Sequence, residues 1–331
     1  MTTYKQSGVN IYEAEKLVEK IKPLAKKTFK RGVMSDIGFF GAFYDARFNK
    51  YKHPVLVSSV DGVGTKVKIA IELGRHDTIG QDLVNHCVND IAVGGADPLF
   101  FLDYFACGKL KPNVAAEVIK GLSIACLENG FSLIGGETAE MPGVYAENDY
   151  DLAGTIVGVV EKSKVIDGRK IRKGDILVGL PSNGLHTNGF SLARRVLLKE
   201  FSLNSYVPEL RETLGEHLLK IHRTYLKIIR HVKHKFPIHG MVHVTGGGIT
   251  GNTIRVVRPP HKFRIVWDEI PIPPIFMLIQ QMGKVPSADM RRTFNLGVGL
   301  LFVIPENSVS QFVHYLNKMG EDPIFVGEVT A

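Results

Sequence analysis

The segment Asp61-Gly62-Val63-Gly64-Thr65-Lys66 has residue types that suit phosphate binding, and it lies between an apolar stretch and an apolar helical pattern. Glycine lets a backbone approach a phosphate closely, and the free N–H groups at a helix start attract anions. The lysine adds positive charge, and the aspartate is a ligand type that Mg²⁺ accepts. The segment matches neither GxxxxGK[ST] nor GxGxxG. These residues alone therefore leave open a phosphate loop or a plain tight turn with a helix cap.

A second polar group interrupts an otherwise apolar segment. At 3.6 residues per turn, Asp82, His86, Asn89 and Asp90 fall within an arc of about 100° on one helix face. Oxygen ligands at this spacing suit a hard cation, whereas a solvated helix face is the alternative. Asp103 lies inside an apolar strand pattern, where a carboxylate needs a partner or a metal.

Two further glycine-rich segments follow predicted strands. Residues 135–142 combine backbone donors with the carboxylate of Glu137 and the hydroxyl of Thr138, and we expect a turn there. Residues 181–191 place His186 between a strand and a helix, where a general acid–base group or a phosphate donor belongs. A capping loop and a structural histidine are the respective alternatives.

Gly246, Gly247 and Gly248 follow a third predicted strand and precede a helix. Three consecutive glycines fit close approach to a bulky anion, although a plain turn explains them too. Arg291 and Arg292 form either a surface pair at a strand entry or a contact to phosphate.

Predicted strands and helices must position these groups. Strands are predicted at 54–60, 99–106, 132–134, 152–160, 176–180, 241–244, 263–267, 299–304 and 324–326, and helices at 11–22, 66–73, 80–93, 114–128, 191–199, 212–233 and 309–319. We expect Pro23 to end or kink the first helix.

The 331 residues exceed the size at which single cores stop growing, so two domains are predicted. The polar stretch 161–175 is the best boundary, which gives domains 1–165 and 166–331. Strands and helices alternate loosely on both sides of it. The expected class is α+β or α/β in each domain.

Several functional classes are disfavoured by composition. No apolar run reaches the ~20 residues of a membrane span, and the polar start lacks a signal-peptide pattern, so we expect a cytoplasmic protein. Three widely spaced cysteines predict reduced, mostly buried thiols. Net charge is +8, but the basic runs 16–31 and 220–235 match no nucleic-acid module and are interpreted as solvated helix faces. No nucleic-acid partner is expected.

Seven motifs together resemble the phosphoribosylformylglycinamidine cyclo-ligase (AIR synthetase) family. They are DGVGTK (61–66), CVNDIAVGGADPLFFLDYFACGKL (87–110), GGETAEMPG (135–143), DLAGTIVGVVEK (151–162), NGLHTNGFSL (183–192), VTGGG (244–248) and RTFNLGVG (292–299). They occur in the family's order, and the resemblance runs from Tyr4 to about Val329.

The resemblance implies an α+β homodimer of two-domain subunits. The amino-terminal domains contribute strands to a shared β-barrel, the carboxy-terminal domain is α/β, and a glycine-rich cleft between the domains binds ATP with Mg²⁺. Asp61 and Asp90 match acids associated with nucleotide and metal, and Lys22 and His186 match residues of the catalytic site. The remaining nucleotide-binding candidates are Gly62, Gly64, Thr65, Lys66, Glu137 and Thr138, together with the glycines 246–248.

The activity that the resemblance implies is ATP-dependent closure of formylglycinamidine ribonucleotide to 5-aminoimidazole ribonucleotide, a step of de novo purine biosynthesis. Gly38-Phe39-Phe40-Gly41-Ala42 departs from the GGFGG run expected there. Selenophosphate synthetase and thiamine-phosphate kinase are related alternatives, as is a non-catalytic nucleotide-sensing paralogue. A basic nucleic-acid-binding protein is the alternative outside this superfamily.

Overall fold

The computed structural model describes residues 11–38 and 40–331. The polar start of the chain and Phe39 of the departing loop lie outside the described residues. The chain divides into two compact units, one ending at Ser163 and the other containing Lys164–Ala331 and the short segment Ala92–Gly95. The domain limits 1–165 and 166–331 stay a prediction.

The first unit is a four-stranded sheet with helices. Its elements are α1 (Ile11–Thr28), β1 (Pro54–Gly62), α2 (Val67–Leu73), α3 (Asp77–Ala92), β2 (Asp97–Cys107), α4 (Pro112–Asn129), β3 (Ser132–Glu140) and β4 (Tyr150–Glu161). The strand order is β1-β4-β2-β3, in which β2 and β3 are parallel and the other neighbours antiparallel.

Glycines allow the layers of this unit to meet. A Cβ on Gly80 would lie 2.1 Å from the Val118 carbonyl oxygen, and one on Gly121 would lie 2.0 Å from that of Asp77. The backbones of α3 and α4 therefore touch. A Cβ on Gly154 would lie 2.1 Å from the Phe101 ring and 3.1 Å from Leu83 Cδ2, so side chains of the neighbouring strand β2 and of α3 fill the sheet face at this position.

The opposite sheet face carries apolar side chains that stay exposed. Leu56 and Val60 of β1 are 61% and 67% exposed. The pairing registers place Val157 of β4 and Leu102 and Tyr104 of β2 on the same face, partly or largely exposed. We call this set the open sheet face.

The second unit contains a five-stranded antiparallel sheet, a separate pair of two-residue strands, and helices. Its elements are β5 (Ile176–Pro181), α5 (Phe190–Leu197), β6 (Tyr206–Val207), β7 (Glu212–Thr213), α6 (Leu214–Leu218), α7 (Leu226–Val232), β8 (Gly240–His243), α8 (Gly248–Thr253), β9 (Lys262–Ile265), α9 (Pro274–Gly283), α10 (Ser287–Thr293), β10 (Val298–Ile304), α11 (Glu306–Lys318) and β11 (Ile324–Thr330). The order is β8-β10-β5-β11-β9, and every residue of β10 is buried.

Of the two outcomes expected for Pro23, an end of the first helix is wrong, because α1 continues to Thr28, and a kink stays a prediction. Leu17 before the proline and Ala25 after it are both buried, at 1% and 4% exposed. Packing of both halves outweighs the local preference of proline.

Two other local predictions are also wrong. The predicted helix 212–233 is a short strand, two short helices and an irregular stretch between them, because Tyr225 is buried and its hydroxyl donates to the Pro181 carbonyl at 2.8 Å. The predicted turn at 135–142 is largely strand, since β3 continues to Glu140 in register with β2.

The three cysteines are free and buried, as predicted. Among the described residues, no helix combines the length and apolarity needed to cross a bilayer.

Candidate active site

Asp61, at the end of β1, meets α3 through His86. The Asp61 Oδ2 atom lies 2.9 Å from His86 Nε2, and Asp90 Oδ2 lies 3.7 Å from the same nitrogen. The Ser59 hydroxyl donates to Asp90 Oδ2 at 3.2 Å. The structure therefore brings together the two carboxylates that the sequence singled out, around one buried imidazole.

The side chains around His86 shift its pKa. Burial by itself would lower the pKa of His86, but the hydrogen bond to Asp61 and the negative charge of Asp90 outweigh it, and the pKa is raised. The imidazole thus lies between two acids that favour its protonated form. Two carboxylates converging on one point are a ligand type that fits Mg²⁺.

The glycine turn after β1 has an exposed part and a buried part. Gly64, with φ of +62°, and Thr65 are exposed, and the backbone N–H of Gly62 donates to Asp61 Oδ1 at 2.7 Å. Lys66 points inward instead. Its Nζ lies 2.8 Å from Asp82 Oδ1, with neither side chain exposed. The predicted phosphate-binding lysine is therefore held by an acid of α3 in this state.

The solvated-face alternative for α3 is excluded by burial. Asp82, His86 and Asn89 are all buried, with exposed fractions of 0%, 4% and 0%. Asp90 is half-buried. The polar side of this helix faces the protein and makes specific contacts.

Asp103 has the unusual environment that its apolar strand predicted. A Cβ on Gly136 would lie 2.2 Å from Asp103 Oδ1, so the carboxyl group covers this glycine of β3. Burial, more than the nearby charge of Glu137, raises the pKa of Asp103 to about 7. After Gly136 in β3 come Glu137, which is exposed, and Thr138, which is half-buried, so solvent reaches both residues.

Lys22 lies on α1 beside the departing glycine loop. Its Nζ is 3.4 Å from Glu19 Oε1, and its side chain is 35% exposed. A Cβ on Gly38, which has φ of +101°, would lie 3.7 Å from Lys22 Cε. The lysine therefore lies next to this glycine turn, with an ammonium group that water can reach.

His186 lies in the second unit, in the connection from β5 to α5. It is 2% exposed and adopts φ of +61°, a left-handed conformation that is uncommon outside glycine. Its ring stacks on that of His222 with centroids 4.0 Å apart. The Nε2 atoms of His222 and His243 are 3.0 Å apart. Three buried imidazoles thus meet in one place.

Sequence reasoning missed His222. The residue falls within the basic run 220–235, which was interpreted as a solvated helix face, yet His222 is 0% exposed. Nothing in its immediate neighbours marks it, because its contacts come from His186 and His243, 36 and 21 residues away. His243 stood only at the end of a predicted strand.

Gly246 and Gly247 lie between β8 and α8, and Gly248 is the first residue of α8, so the glycines lead from a strand into a helix as predicted. Packing alone requires one of these glycines, since a Cβ on Gly248 would lie 1.9 Å from the Arg291 carbonyl oxygen. Arg291 places its guanidinium 4.2 Å from the centre of the Trp267 ring, at the end of a helix rather than at a strand entry.

Family models match both halves of the chain. Residues 45–160 match the "AIR synthase related protein, N-terminal domain", and residues 172–331 match the corresponding C-terminal domain. A phosphoribosylformylglycinamidine cyclo-ligase of Thermodesulfovibrio yellowstonii is 48% identical over 332 aligned residues, which cover 99% of this chain and 96% of the relative. One from Thermoanaerobacter pseudethanolicus is 49% identical, covering 98% of this chain and 97% of the relative.

Solved structures share the fold at low sequence identity. The thiamine-monophosphate kinase of Stenotrophomonas maltophilia superposes with a TM-score of 0.70 at 17% identity, covering 95% of this chain and 93% of the kinase. The hydrogenase maturation protein HypE in complex with ATP gives a TM-score of 0.68 at 14% identity, covering 98% and 88%. At these identities only the fold is shared. By its two matching domain models and its full-length relatives, the chain belongs to the phosphoribosylformylglycinamidine cyclo-ligase, or AIR synthase, family.

Proposed function

We propose that this chain closes the imidazole ring of 5-aminoimidazole ribonucleotide from formylglycinamidine ribonucleotide, with conversion of ATP to ADP and phosphate. The observation that carries the proposal is 48–49% identity to named cyclo-ligases over at least 98% of the chain. The reaction is a step of de novo purine biosynthesis and takes place in the cytoplasm. Nucleotide substrate and ATP are the small-molecule partners, and no nucleic acid is required.

The chemistry needs ATP because a formamide oxygen is a poor leaving group. Transfer of the γ-phosphoryl group to that oxygen releases ADP and converts the later loss of oxide into loss of phosphate. A nitrogen of the substrate then attacks the activated carbon and closes the ring, and a proton leaves that nitrogen. Phosphoryl transfer of this kind depends chiefly on positioning and on neutralising charge.

In the first unit, Asp61 and Asp90 are proposed to hold Mg²⁺, which would neutralise phosphate charge during transfer. Their convergence on His86 supports this assignment. Gly62, Gly64 and Thr65 would bind phosphate oxygens, since the last two are exposed.

Lys66 belongs to the same loop, but its ammonium reaches a phosphate only by leaving Asp82. In the described state it anchors the loop on α3. Glu137 and Thr138, accessible along β3, are proposed to complete the nucleotide-binding set of this unit.

Lys22 and His186 are the proposed catalytic residues. Lys22 has an accessible ammonium group that suits a transferring phosphoryl group. His186 is placed to donate a proton or to hold the phosphorylated oxygen, for which an imidazole has a suitable pKa range. The backbone of Gly246, Gly247 and Gly248 is proposed as a further anion contact.

The proposed assembly is a homodimer built through the open sheet face. Monomeric proteins rarely leave large contiguous apolar patches in water. The alternating exposed residues of β1, with Leu56 and Val60 among them, fit a sheet that packs against a second sheet. A shared β-barrel would bury these side chains.

ATP turnover by the pure protein with and without formylglycinamidine ribonucleotide tests the proposed activity. We expect ADP and phosphate release only with the ribonucleotide, together with an aminoimidazole product detected by diazo coupling. ATP hydrolysis that ignores the substrate, without aminoimidazole, would overturn the assignment. ATP binding without any turnover would instead identify a nucleotide-sensing paralogue.

A further inference from the structure

His186, His222 and His243 form a buried group within the second unit, which we call the three-histidine cluster. Their exposed fractions are 2%, 0% and 6%. Each histidine offers one ring nitrogen, and these three nitrogens all lie within 4.8 Å of one another. The residues come from three separate segments, so their meeting is a product of the fold.

We propose that the three-histidine cluster binds a divalent transition metal ion of the zinc type. Imidazole nitrogen is a preferred ligand for zinc, copper and nickel, whereas Mg²⁺ prefers oxygen. Three histidines with one open position form a recurrent zinc ligand set. This site is chemically distinct from the carboxylate pair Asp61 and Asp90.

The spacing of the nitrogens supports a shared ion. At a Zn–N distance of about 2.0–2.1 Å, tetrahedral ligands lie about 3.3 Å apart. The Nε2 atoms of His222 and His243 are already 3.0 Å apart and need only a small separation. The His186 ring, stacked on His222 with a 22° interplanar angle, would turn to direct its nitrogen at the ion.

A neighbouring hydroxyl orients the central ligand. Thr187 Oγ1 lies 3.3 Å from His222 Nδ1. When Nδ1 carries the hydrogen and donates it to this hydroxyl, the lone pair of His222 is on Nε2, toward His243. Metal-binding histidines are commonly fixed in this way by a contact to their other ring nitrogen.

Space for the His186 ring depends on a glycine of β10. A Cβ on Gly299 would lie 2.7 Å from His186 Cε1 and 2.0 Å from the Tyr225 hydroxyl. The absence of a side chain at this position gives the imidazole room beside the other two. A His186 ring bound to the ion cannot transfer a proton near neutral pH, so the metal-bound state and the proposed proton transfer by His186 exclude each other. Metal binding is measured without ATP or ribonucleotide, so its test stands apart from the proposed ligase activity.

The test uses Co²⁺ as a spectroscopic probe on the full chain, followed by Zn²⁺ competition. We expect one Co²⁺ per chain, visible ligand-field bands of a four-coordinate site with three nitrogen ligands and one water, and displacement by Zn²⁺ but not by excess Mg²⁺. Zn²⁺ should also raise the Tm of the unsubstituted protein, because a ligand that binds only the folded state stabilises it.

Substitutions test whether the three-histidine cluster binds the ion. His222→Gln should weaken Co²⁺ binding at least about 100-fold, beyond the 10–100-fold typical for loss of an outer contact, whereas Thr187→Val should weaken it about 10-fold. His231→Gln is the matched control, because His231 is exposed on α7. Absence of stoichiometric Co²⁺ bands in the unsubstituted chain, or equal binding by folded His222→Gln, overturns the proposal. If His222→Gln fails to fold, the same comparison is made with Thr187→Val, and unchanged binding there overturns it.

Discussion

Lys66 Nζ lies 2.8 Å from Asp82 Oδ1, and neither side chain is exposed to water. This ion pair joins the glycine turn after β1 to the first half of α3. Burial lowers the pKa of Lys66, and the charge of Asp82 opposes that shift. The pair therefore fixes the loop that presents Gly64 and Thr65 to solvent.

Removal of one partner should be costly. Asp82→Asn leaves the Lys66 ammonium buried without its counter-charge, so we expect the free energy of unfolding to fall by about 3–5 kcal/mol. Lys66→Met combined with Asp82→Leu should recover most of that loss, because an apolar pair needs no charge compensation. Urea denaturation measures all three proteins. The exposed pair of Lys109 and Glu147 supplies the control, and an Asp82→Asn loss no larger than that of Glu147→Gln would contradict this account.

The carboxyl group of Asp103 predicts a pH dependence of stability. Its folded-state pKa of about 7 lies above the unfolded value of about 3.9. The folded state therefore binds more protons between these values, and the contribution of this group falls as pH rises from about 4 through about 7 and is constant above that. Asp103→Asn should remove this part of the slope.

Urea midpoints measured between about pH 5 and about pH 8 test this, because the range covers the fall in stability up to about pH 7 and the constant region above it. Glu128→Gln, an exposed carboxylate on α4, should keep the slope of the unsubstituted protein. Equal slopes in Asp103→Asn and the unsubstituted protein would show that Asp103 ionises normally.

If the open sheet face is the dimer contact, the protein should have the mass of a dimer in solution. We expect a dimer by light scattering at micromolar concentration, and Val60→Lys should shift it toward monomer, because Val60 is 67% exposed in the single chain. Leu127→Lys, at an exposed apolar position on α4, should leave the mass unchanged. A monomeric mass for the unsubstituted protein would remove the shared barrel.

Local patterns identified the acids more readily than their partners. Asp61 and Asp90 stand out because each is an acid beside a glycine turn or on an apolar helix, but their common contact with His86 requires the packing of β1 on α3. His222 was missed for the same reason. The helix end at Pro23 and the turn at 135–142 were mispredicted, because tertiary burial and strand pairing outweighed local preferences.

The proposed metal ligands are tested by removing one charge at a time. Asp61→Asn and Asp90→Asn should fold normally but need more Mg²⁺ for half-maximal turnover and bind ATP more weakly, because amide oxygens hold a divalent ion less strongly than carboxylates. Mg²⁺ titrations and calorimetry with ATP measure both effects. Glu72→Gln, on the exposed side of α2, is the control. If the Mg²⁺ titrations are unchanged in both Asn variants, the two acids do not bind the metal ion.

A catalytic role and a purely structural role of His186 predict different results for its substitution. If it transfers a proton, His186→Asn should lower kcat about 10²–10⁴-fold. KM should change less, because the interaction forms mainly in the transition state. Asparagine is the cleaner substitution, since His186 has φ of +61° and asparagine tolerates that conformation better than alanine.

His186→Ala separates the remaining possibilities. If the imidazole only shapes the turn, this variant should lose about 1 kcal/mol of stability and keep most of its turnover. If His186 only donates a hydrogen bond to phosphate, the Asn variant should retain near-normal kcat while the Ala variant does not. Steady-state kinetics and urea denaturation of both variants, beside His231→Gln, distinguish these outcomes. Near-normal kcat in both variants would remove His186 from the catalytic residues, because neither side chain can titrate near neutral pH.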